Sequence, residues 1–254
     1  MELCETDLLG CVVAAFGSIF ATAFADSLSP FYSPEYIRNR GLNLRGHAVH
    51  HRFYFYPFLA SKTSFARRVY VKSRSTTLLY VQCNCGISLH GEFYDLKQFH
   101  LHSPSEHTLD GKHLNGEIHF VHVDRESKAL LVVGVFLKIG PVSDEWLGPV
   151  LDALEQVNCT TTKRDAIVVN LNSYSTMIRR AAKRGGVYNY AGSLTIPGCE
   201  ENADWWVVES PIKISSIDFG RLHQDLVEYP ITEDGDNSRP VQPLNGRIVT
   251  RYIY

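Results

Sequence analysis

The chain has 254 residues, of which 44% are hydrophobic and 20% are charged, so it can bury a substantial apolar core as one large domain or two small ones. Its formal net charge is −2 and its isoelectric point is about 6.6. This near balance argues against a protein that gathers nucleic acid or an anionic membrane surface by its charge.

The N-terminal segment has the features of an export signal. Residues 8–25 are apolar and rich in small side chains, and they end in an Ala-Phe-Ala tripeptide before Asp26, as at a signal-peptidase site. Three of the first seven residues are acidic where positive charge is usual, so a signal anchor and an ordinary apolar segment are the alternatives. We predict a signal peptide over residues 1–25 and a secreted or cell-surface protein. No later stretch reaches the about 18 apolar residues of a spanning helix.

Residues 26–75 form an atypical region of uncertain fold. The sequence pattern after this region predicts mainly strands. Alternating or β-branched runs occur at residues 76–83, 116–124 and 204–215, and a last strand is expected near the C-terminus. Ala129–Gly140 is almost continuously apolar, which is typical of a strand that is buried on both faces. An Asp-Gly turn at Asp110 separates two of the strands.

Few helices are predicted. Residues 143–157 have apolar positions at helical spacing, with Ser143 as the N-cap. The basic run Arg179–Arg184 is expected on a solvated face or in a loop.

Histidines are concentrated in one segment. Residues 98–122 hold six of the 11 histidines of the chain, in the patterns QFHLH and EIHFVH. Side chains two apart on a strand point to the same side, so His100 and His102 project together, and His119 lies on the next predicted strand. Three neutral imidazoles would leave one open position on a tetrahedral zinc ion, which is typical of a catalytic site. Gln98 and Glu117, each two residues before a histidine, are placed to orient the rings.

These motifs resemble the α-carbonic anhydrase family, in the order QFHLH, SEHT, EIHFVH, GSLTIPGC and RPVQPLNGR over about residues 91–247. The resemblance implies a mainly β (α+β) single domain, built on a large, mostly antiparallel, twisted sheet with a few peripheral helices, over residues 76–254. It also implies reversible zinc-dependent hydration of carbon dioxide to bicarbonate, by attack of a zinc-bound hydroxide. The remaining histidines of the segment are expected to be structural: His107, His113 and His122.

The resemblance assigns roles residue by residue. The zinc ligands would be His100, His102 and His119, and the Thr195 hydroxyl would pass its proton to Glu106. An apolar pocket for carbon dioxide would be lined by Val121, Val132, Leu194, Ile196 and Trp205. Ile196 stands where many members have a second threonine. The implied partner is a small molecule, with no nucleic acid and no stable membrane span after signal removal.

The N-terminal third departs from the family pattern. RGHAV at residues 45–49 resembles a Gly-His segment, which would make His47 the proton shuttle, but His47 lies 53 positions before His100 instead of the usual thirty or so. An insertion and an incorrect gene model are alternative explanations. The resemblance places Cys199 where exported members often have a disulfide, and its partner stays open, with Cys83 and Cys85 as alternatives. Signal cleavage would leave four of the six cysteines.

Two other functions are therefore kept as alternatives. The first is a non-catalytic binding or adhesion module on the same scaffold. The second is a defective product that has no stable fold.

Overall fold

The computed structural model describes residues 48–51, 66–71, 79–82, 85–89, 92–155, 167–195, 199–227 and 232–253. The strands in this part of the chain are β1 Ala48–His51, β2 Ala66–Val71, β3 Leu79–Gln82, β4 Gly86–Leu89, β5 Glu92–His102, β6 Thr108–Leu109, β7 Lys112–His113, β8 Gly116–Asp124, β9 Leu130–Gly140, β10 Ile167–Leu171, β11 Val187–Gly192, β12 Ala203–Ser215 and β13 Val249–Tyr252. The helices there are α1 Gly148–Leu154, α2 Tyr174–Gly185 and α3 Ser216–Val227.

One large sheet joins eleven of the described strands. Its order is β1-β13-β11-β12-β9-β8-β5-β3-β2-β10, and β4 also pairs with β5. The pairs β1–β13 and β9–β12 are parallel, and the other pairs are antiparallel. β6 and β7 form a separate hairpin, whose turn contains Asp110 and Gly111 at positive φ. The predicted large, mostly antiparallel sheet is confirmed, and two strands from the atypical region 26–75, β1 and β2, belong to it.

The two faces of the sheet pack differently. On one face, alternate residues of β8, β9 and β12 join the helices in the larger apolar core, which includes Trp146 of the segment before α1 and Met177 of α2. On the other face a smaller cluster contains Val121, Val132 and Trp205. β9 is buried from Leu131 to Leu137. This agrees with the apolar run, which predicted a strand that is covered on both sides.

A register shift in β5 sets which residues reach the second face. The pairing of β5 with β8 shifts between Leu96 and Gln98, so that one residue of β5 is left over. Before the shift Leu96 packs in the larger core, and after it Phe99 does so. Because a slip of one residue exchanges the faces of a strand, the shift turns His100 to the face opposite the helices.

The helix predicted over residues 143–157 is wrong in extent. α1 covers only Gly148–Leu154, has Leu147 at its N-cap and has a proline in its first turn. Ser143 is not a cap, because its hydroxyl donates to an Asp218 carboxylate oxygen and accepts from the Ser215 backbone N–H. These contacts attach the segment to the start of α3 instead of opening a helix.

The basic run Arg179–Arg184 lies in α2. Its arginine and lysine side chains are exposed, while Ala181 and Ala182 pack in the larger core. The run therefore forms the solvated face of an amphipathic helix, which agrees with the prediction of a solvated face.

Candidate metal centre

Three histidine side chains converge on the face of the sheet opposite the helices. His100 and His102 lie on β5, and His119 on β8 is the direct cross-strand partner of His100. The ring centroids are 4.9 Å apart for His100 and His102, 5.2 Å for His100 and His119, and 4.6 Å for His102 and His119. All three side chains are buried. The strand register thus brings together the three residues that the sequence pattern predicted to converge.

Two of the rings are held by hydrogen bonds at Nδ1. The Nδ1–H of His100 donates to Gln98 Oε1 at 2.8 Å, as the two-residue spacing predicted. The Nδ1–H of His102 donates to the backbone carbonyl of Asn237 at 3.1 Å. Because Nδ1 carries the proton in each ring, the lone pair of each ring is at Nε2.

The third ring is oriented in the reverse sense. Its Nε2 lies 3.1 Å from Glu117 Oε1. That distance is within hydrogen-bond range, but Nε2 makes no well-aligned hydrogen bond, so the contact is an electrostatic one between the ring and the carboxylate. The Nδ1 of His119 is left to face the other two rings.

The remaining ring nitrogens suit a shared cation. His100 Nε2, His102 Nε2 and His119 Nδ1 are buried without a hydrogen-bond partner among the described residues. One ligand atom of each ring lies within 4.8 Å of the others. A buried polar atom without a partner costs about 1–3 kcal/mol. Three such atoms facing one point fit a metal ion better than they fit a structural core.

Burial sets the charge of the rings. Burial lowers the pKa of His100 well below 6.5, and its neighbours His102 and His119 lower it further. Burial also lowers the pKa of His102. Both rings are therefore neutral at pH 7, which is the form that binds a metal. Burial would lower the pKa of His119 as well, but the Glu117 and Glu106 carboxylates together outweigh it and raise that pKa.

Comparison with known proteins agrees with this geometry. The family model described as eukaryotic-type carbonic anhydrase matches residues 67–253. The chain belongs to the α-carbonic anhydrase family.

Individual relatives and solved structures that resemble this chain include carbonic anhydrases. A carbonic anhydrase of Nostoc sp. is 37% identical over 160 residues, which cover 63% of this chain and 54% of the relative. Alpha carbonic anhydrase 7 of Arabidopsis thaliana is 34% identical over 65% of this chain and 56% of its own. The structure of the Thermovibrio ammonificans α-carbonic anhydrase with the inhibitor sulfanilamide superposes with a TM-score of 0.62, at 29% identity over 84% of this chain and 85% of that chain. The matched segment thus spans little more than half the length of these curated relatives.

A second layer of this carbonic anhydrase fold supports Glu117. The Nδ1–H of His107 donates to Glu117 Oε1 at 2.7 Å, and its backbone N–H donates to Oε2 at 2.9 Å. The Nε2 of His107 accepts from the Tyr190 hydroxyl at 2.6 Å. Glu117 is fully buried, and although burial alone would raise its pKa, His107 and His119 hold that pKa well below its usual range. His107 is therefore structural, as predicted, and the group that it holds in place is Glu117 of the candidate site.

Glu117 also explains a second group of possible ligands. His107, Glu117 and His119 place one atom each within 4.8 Å of one another. The direct hydrogen bonds from His107 already occupy Glu117, so the three rings with partnerless nitrogens are the better candidate set.

Glu106 lies beside the His119 ring and shares a cavity with Thr195. The cavity has a volume of about 310 Å³. Glu106 Oε1 accepts from the Arg239 backbone N–H at 2.7 Å, whereas Oε2 is buried, has no hydrogen-bond partner and lies 3.7 Å from His119 Nδ1. Oε2 is therefore an unused hydrogen-bond acceptor close to the His119 ring.

Three of the predicted apolar wall residues form one row across the sheet. Val121 is the cross-strand partner of Val132, which in turn is the partner of Trp205. All three are buried, and the Trp205 ring lies 4.7 Å from the His119 ring between centroids. Leu194 is half-buried in the segment that contains Thr195. The row places an apolar wall directly beside the candidate ligands.

Sequence reasoning missed several residues of the site. Asn237 holds His102, Tyr190 holds His107 and Arg239 holds Glu106, from positions 83 to 135 residues away along the chain. Asn237 and Tyr190 lie in no motif identified in the sequence, and Arg239 opens the RPVQPLNGR motif without a predicted role, since each of the three acts through a tertiary contact. His113 and His122, predicted to be structural, lie outside the trio: His113 donates to the Ser105 carbonyl, and His122 is buried on the helix face against Tyr174.

Three predictions fall outside the described residues: His47, Ile196 and the N-terminal signal peptide. Within the described part of the chain, no helix combines the length and the apolar composition that crossing a membrane requires. Cys85 is disulfide-bonded.

Proposed function

We propose that this chain is a zinc-dependent carbonic anhydrase that interconverts carbon dioxide and bicarbonate. The observation that carries the proposal is the convergence of three buried ring nitrogens that have no hydrogen-bond partner among the described residues. Membership of the α-carbonic anhydrase family supports it.

The donor set suits zinc. Imidazole nitrogen is a preferred zinc ligand, and three neutral ligands leave the ion its full charge and one open position. His100, His102 and His119 would hold the ion through Nε2, Nε2 and Nδ1. When bound, zinc supplies a Lewis acid that makes a nucleophile available from water near neutral pH. Gln98, Glu117 and the Asn237 carbonyl would keep the rings aimed at the ion and fix their tautomers.

Thr195 and Glu106 would position the nucleophile. The partnerless Glu106 Oε2 would accept the proton of the Thr195 hydroxyl, so that the threonine oxygen is left with only acceptor lone pairs toward the reacting group. The Arg239 backbone N–H holds the other carboxylate oxygen and fixes this orientation. Such positioning lowers the barrier because the attacking group is already oriented toward the carbon it attacks.

The apolar row would receive carbon dioxide. Val121, Val132 and Trp205 offer no hydrogen-bonding group except the indole N–H, which donates to the Ser193 carbonyl at 2.9 Å. A small apolar substrate therefore meets an apolar wall beside the metal ligands. We include Leu194 and Ile196 in the same pocket.

The test is to replace one ligand and to measure zinc and catalysis together. In the His119→Ala variant we expect bound zinc to fall well below one per chain and zinc-dependent hydration of carbon dioxide to be lost. His113→Ala is the matched control, because it removes an exposed histidine outside the trio and leaves zinc content and hydration unchanged. Hydration that survives in His119→Ala would refute the ligand assignment. Full zinc content without hydration in the unaltered protein would favour a non-catalytic binding module.

Two further parts of the proposal concern the N-terminal region. We propose His47 as the proton shuttle, so that His47→Ala slows hydration at low buffer concentration and added imidazole restores the rate. We also propose that residues 1–25 direct export and are removed after Ala25. A disulfide at Cys85 suits an oxidising compartment. N-terminal sequencing of the exported protein tests this cleavage. A sequence that begins at Met1 would contradict it.

A further inference from the structure

A second cavity lies apart from the histidine trio. It has a volume of about 690 Å³, within the range of small-molecule sites, and none of the three candidate ligands lines it. One wall is the β6–β7 hairpin, with Leu109 and Lys112, and the opposite wall is α3, with Phe219 and His223. The cavity adjoins the place where β12 loses its register with β9, between Val208 and Ile212. We call it the hairpin cleft.

The hairpin cleft carries uncompensated positive charge. Lys112 and Lys138 line it, are exposed and make no ion pair with a carboxylate of the described residues. The carboxylate in the lining, Glu209, is held by Arg251 at 2.6 Å. Lys138 is also the direct register partner of Lys213, and like charges side by side on a sheet are unfavourable. A negatively charged ligand would relieve that repulsion.

The hairpin cleft also offers apolar surface. Leu109 is buried, and Leu114 and Phe219 are partly buried against the two core clusters. These side chains lie in the same lining as the lysines, so one ligand can touch both kinds of group. A bare inorganic ion would leave the apolar part of the cavity uncovered.

We propose that the hairpin cleft binds a phosphate monoester that has an aryl or alkyl body. The two lysines match the near-dianionic charge of a phosphate monoester at pH 7, and the leucine and phenylalanine side chains contact the body. The site is separate from the proposed zinc centre, and its occupation needs no metal.

Calorimetric titration of the full chain with phenyl phosphate tests the proposal. Inorganic phosphate is the probe for the anionic half of the ligand, and benzyl alcohol is the probe for the aryl half. We expect one phenyl phosphate per chain, and each of the other two probes to bind several-fold more weakly. Lys112→Gln and Lys138→Gln should each weaken binding about twofold to fivefold, and the double variant about tenfold. Lys183→Gln, which removes an exposed lysine on α2 outside the cleft, should change nothing.

Three outcomes would overturn the proposal. They are the absence of binding, an equal loss in Lys183→Gln, and inorganic phosphate that binds as tightly as phenyl phosphate. A His119→Gln variant should bind the probe with unchanged affinity, and loss of binding there would place the anion at the metal centre. Brief acetylation followed by mass spectrometry gives a second measurement, in which phenyl phosphate should protect Lys112 and Lys138 but not Lys183. Equal modification of all three lysines with and without the probe would also refute the assignment.

Discussion

A single methyl group at Gly134 should disable the support of the metal centre. Gly134 lies on β9 as the cross-strand partner of His119. A Cβ atom added there would lie 2.5 Å from Glu117 Oε1 and 3.5 Å from Val207 Cγ2. The Gly134→Ala substitution therefore acts on Glu117 without altering any of the three candidate ligands.

The size of the effect follows from the contacts of that oxygen. Carbon–oxygen contacts settle at about 3.3 Å or more, so the carboxylate must move by about 0.8 Å or the strands must separate. Glu117 Oε1 lies 2.7 Å from His107 Nδ1 and 3.1 Å from His119 Nε2, and a shift of that size breaks at least one of these contacts. Overpacking costs about 1–3 kcal/mol, and a lost hydrogen bond to a buried charge about 1.5–3 kcal/mol. We expect Gly134→Ala to lower the free energy of unfolding by about 2.5–6 kcal/mol.

Metal affinity is the sharper measurement. Disturbing the partner of a ligating histidine typically lowers metal affinity about 10- to 100-fold. Zinc affinity is measured by competition with a chelator, and stability is measured by urea unfolding of the metal-free protein. The control is Gly220→Ala on α3, where an added Cβ meets nothing within 4 Å and the helix gains up to about 1 kcal/mol. If Gly134→Ala keeps both its zinc affinity and its stability, Glu117 does not support the site in the way described.

Three further predictions concern the site and the core. Thr195→Val should lower the rate of hydration at least tenfold and leave zinc content unchanged, since in the proposed mechanism the threonine orients the nucleophile and holds no metal; a proportional loss of zinc would contradict this role. Phe136→Ala should lower the free energy of unfolding by about 3–5 kcal/mol, because the ring is fully buried; a urea midpoint equal to that of the unaltered protein would show that the ring is not packed as described. Burial lowers the pKa of His122 from 6.5 to about 4. On acidification the unfolded chain therefore takes up the proton first. About 3 kcal/mol of stability that is present above pH 6.5 is lost as the pH falls to 4. His122→Gln should flatten the dependence of unfolding free energy on pH in that window, and an unchanged slope would exclude His122 as its source.

Local patterns were sufficient to predict β8, β9, β12 and the trio, but not β1, β2, β10 or β11. β8 occupies the residues predicted for it, Gly116–Asp124, because its β-branched and aromatic side chains suit a strand that is buried on both faces. The His-x-His spacing places His100 and His102 on one side of β5, whatever the rest of the fold does. Gln98 could be predicted for the same reason, since it is two residues from His100 on the same strand.

Local patterns were weaker for helices and for their ends. Neither α2 nor α3 was assigned in advance, although both have apolar faces that pack in the larger core. The start of α1 was misplaced because Ser143, a good N-cap by residue type, bonds to Asp218, which is 75 residues further along the chain. A hydrogen-bond partner that is distant in the chain can replace the local capping partner, and the local sequence pattern does not predict it.

By itself, the sequence determined the candidate ligands and that His100 and His102 share one side of a strand, because strand geometry repeats every two residues. Only the tertiary structure decided which face of the sheet they occupy, because the register shift before Gln98 exchanges the two sides of β5. It also decided that Asn237, Tyr190 and Arg239 hold the site, since these contacts join strands and loops that are far apart in the chain. The physical reason is that periodicity acts over a few residues, whereas register and packing depend on the whole sheet.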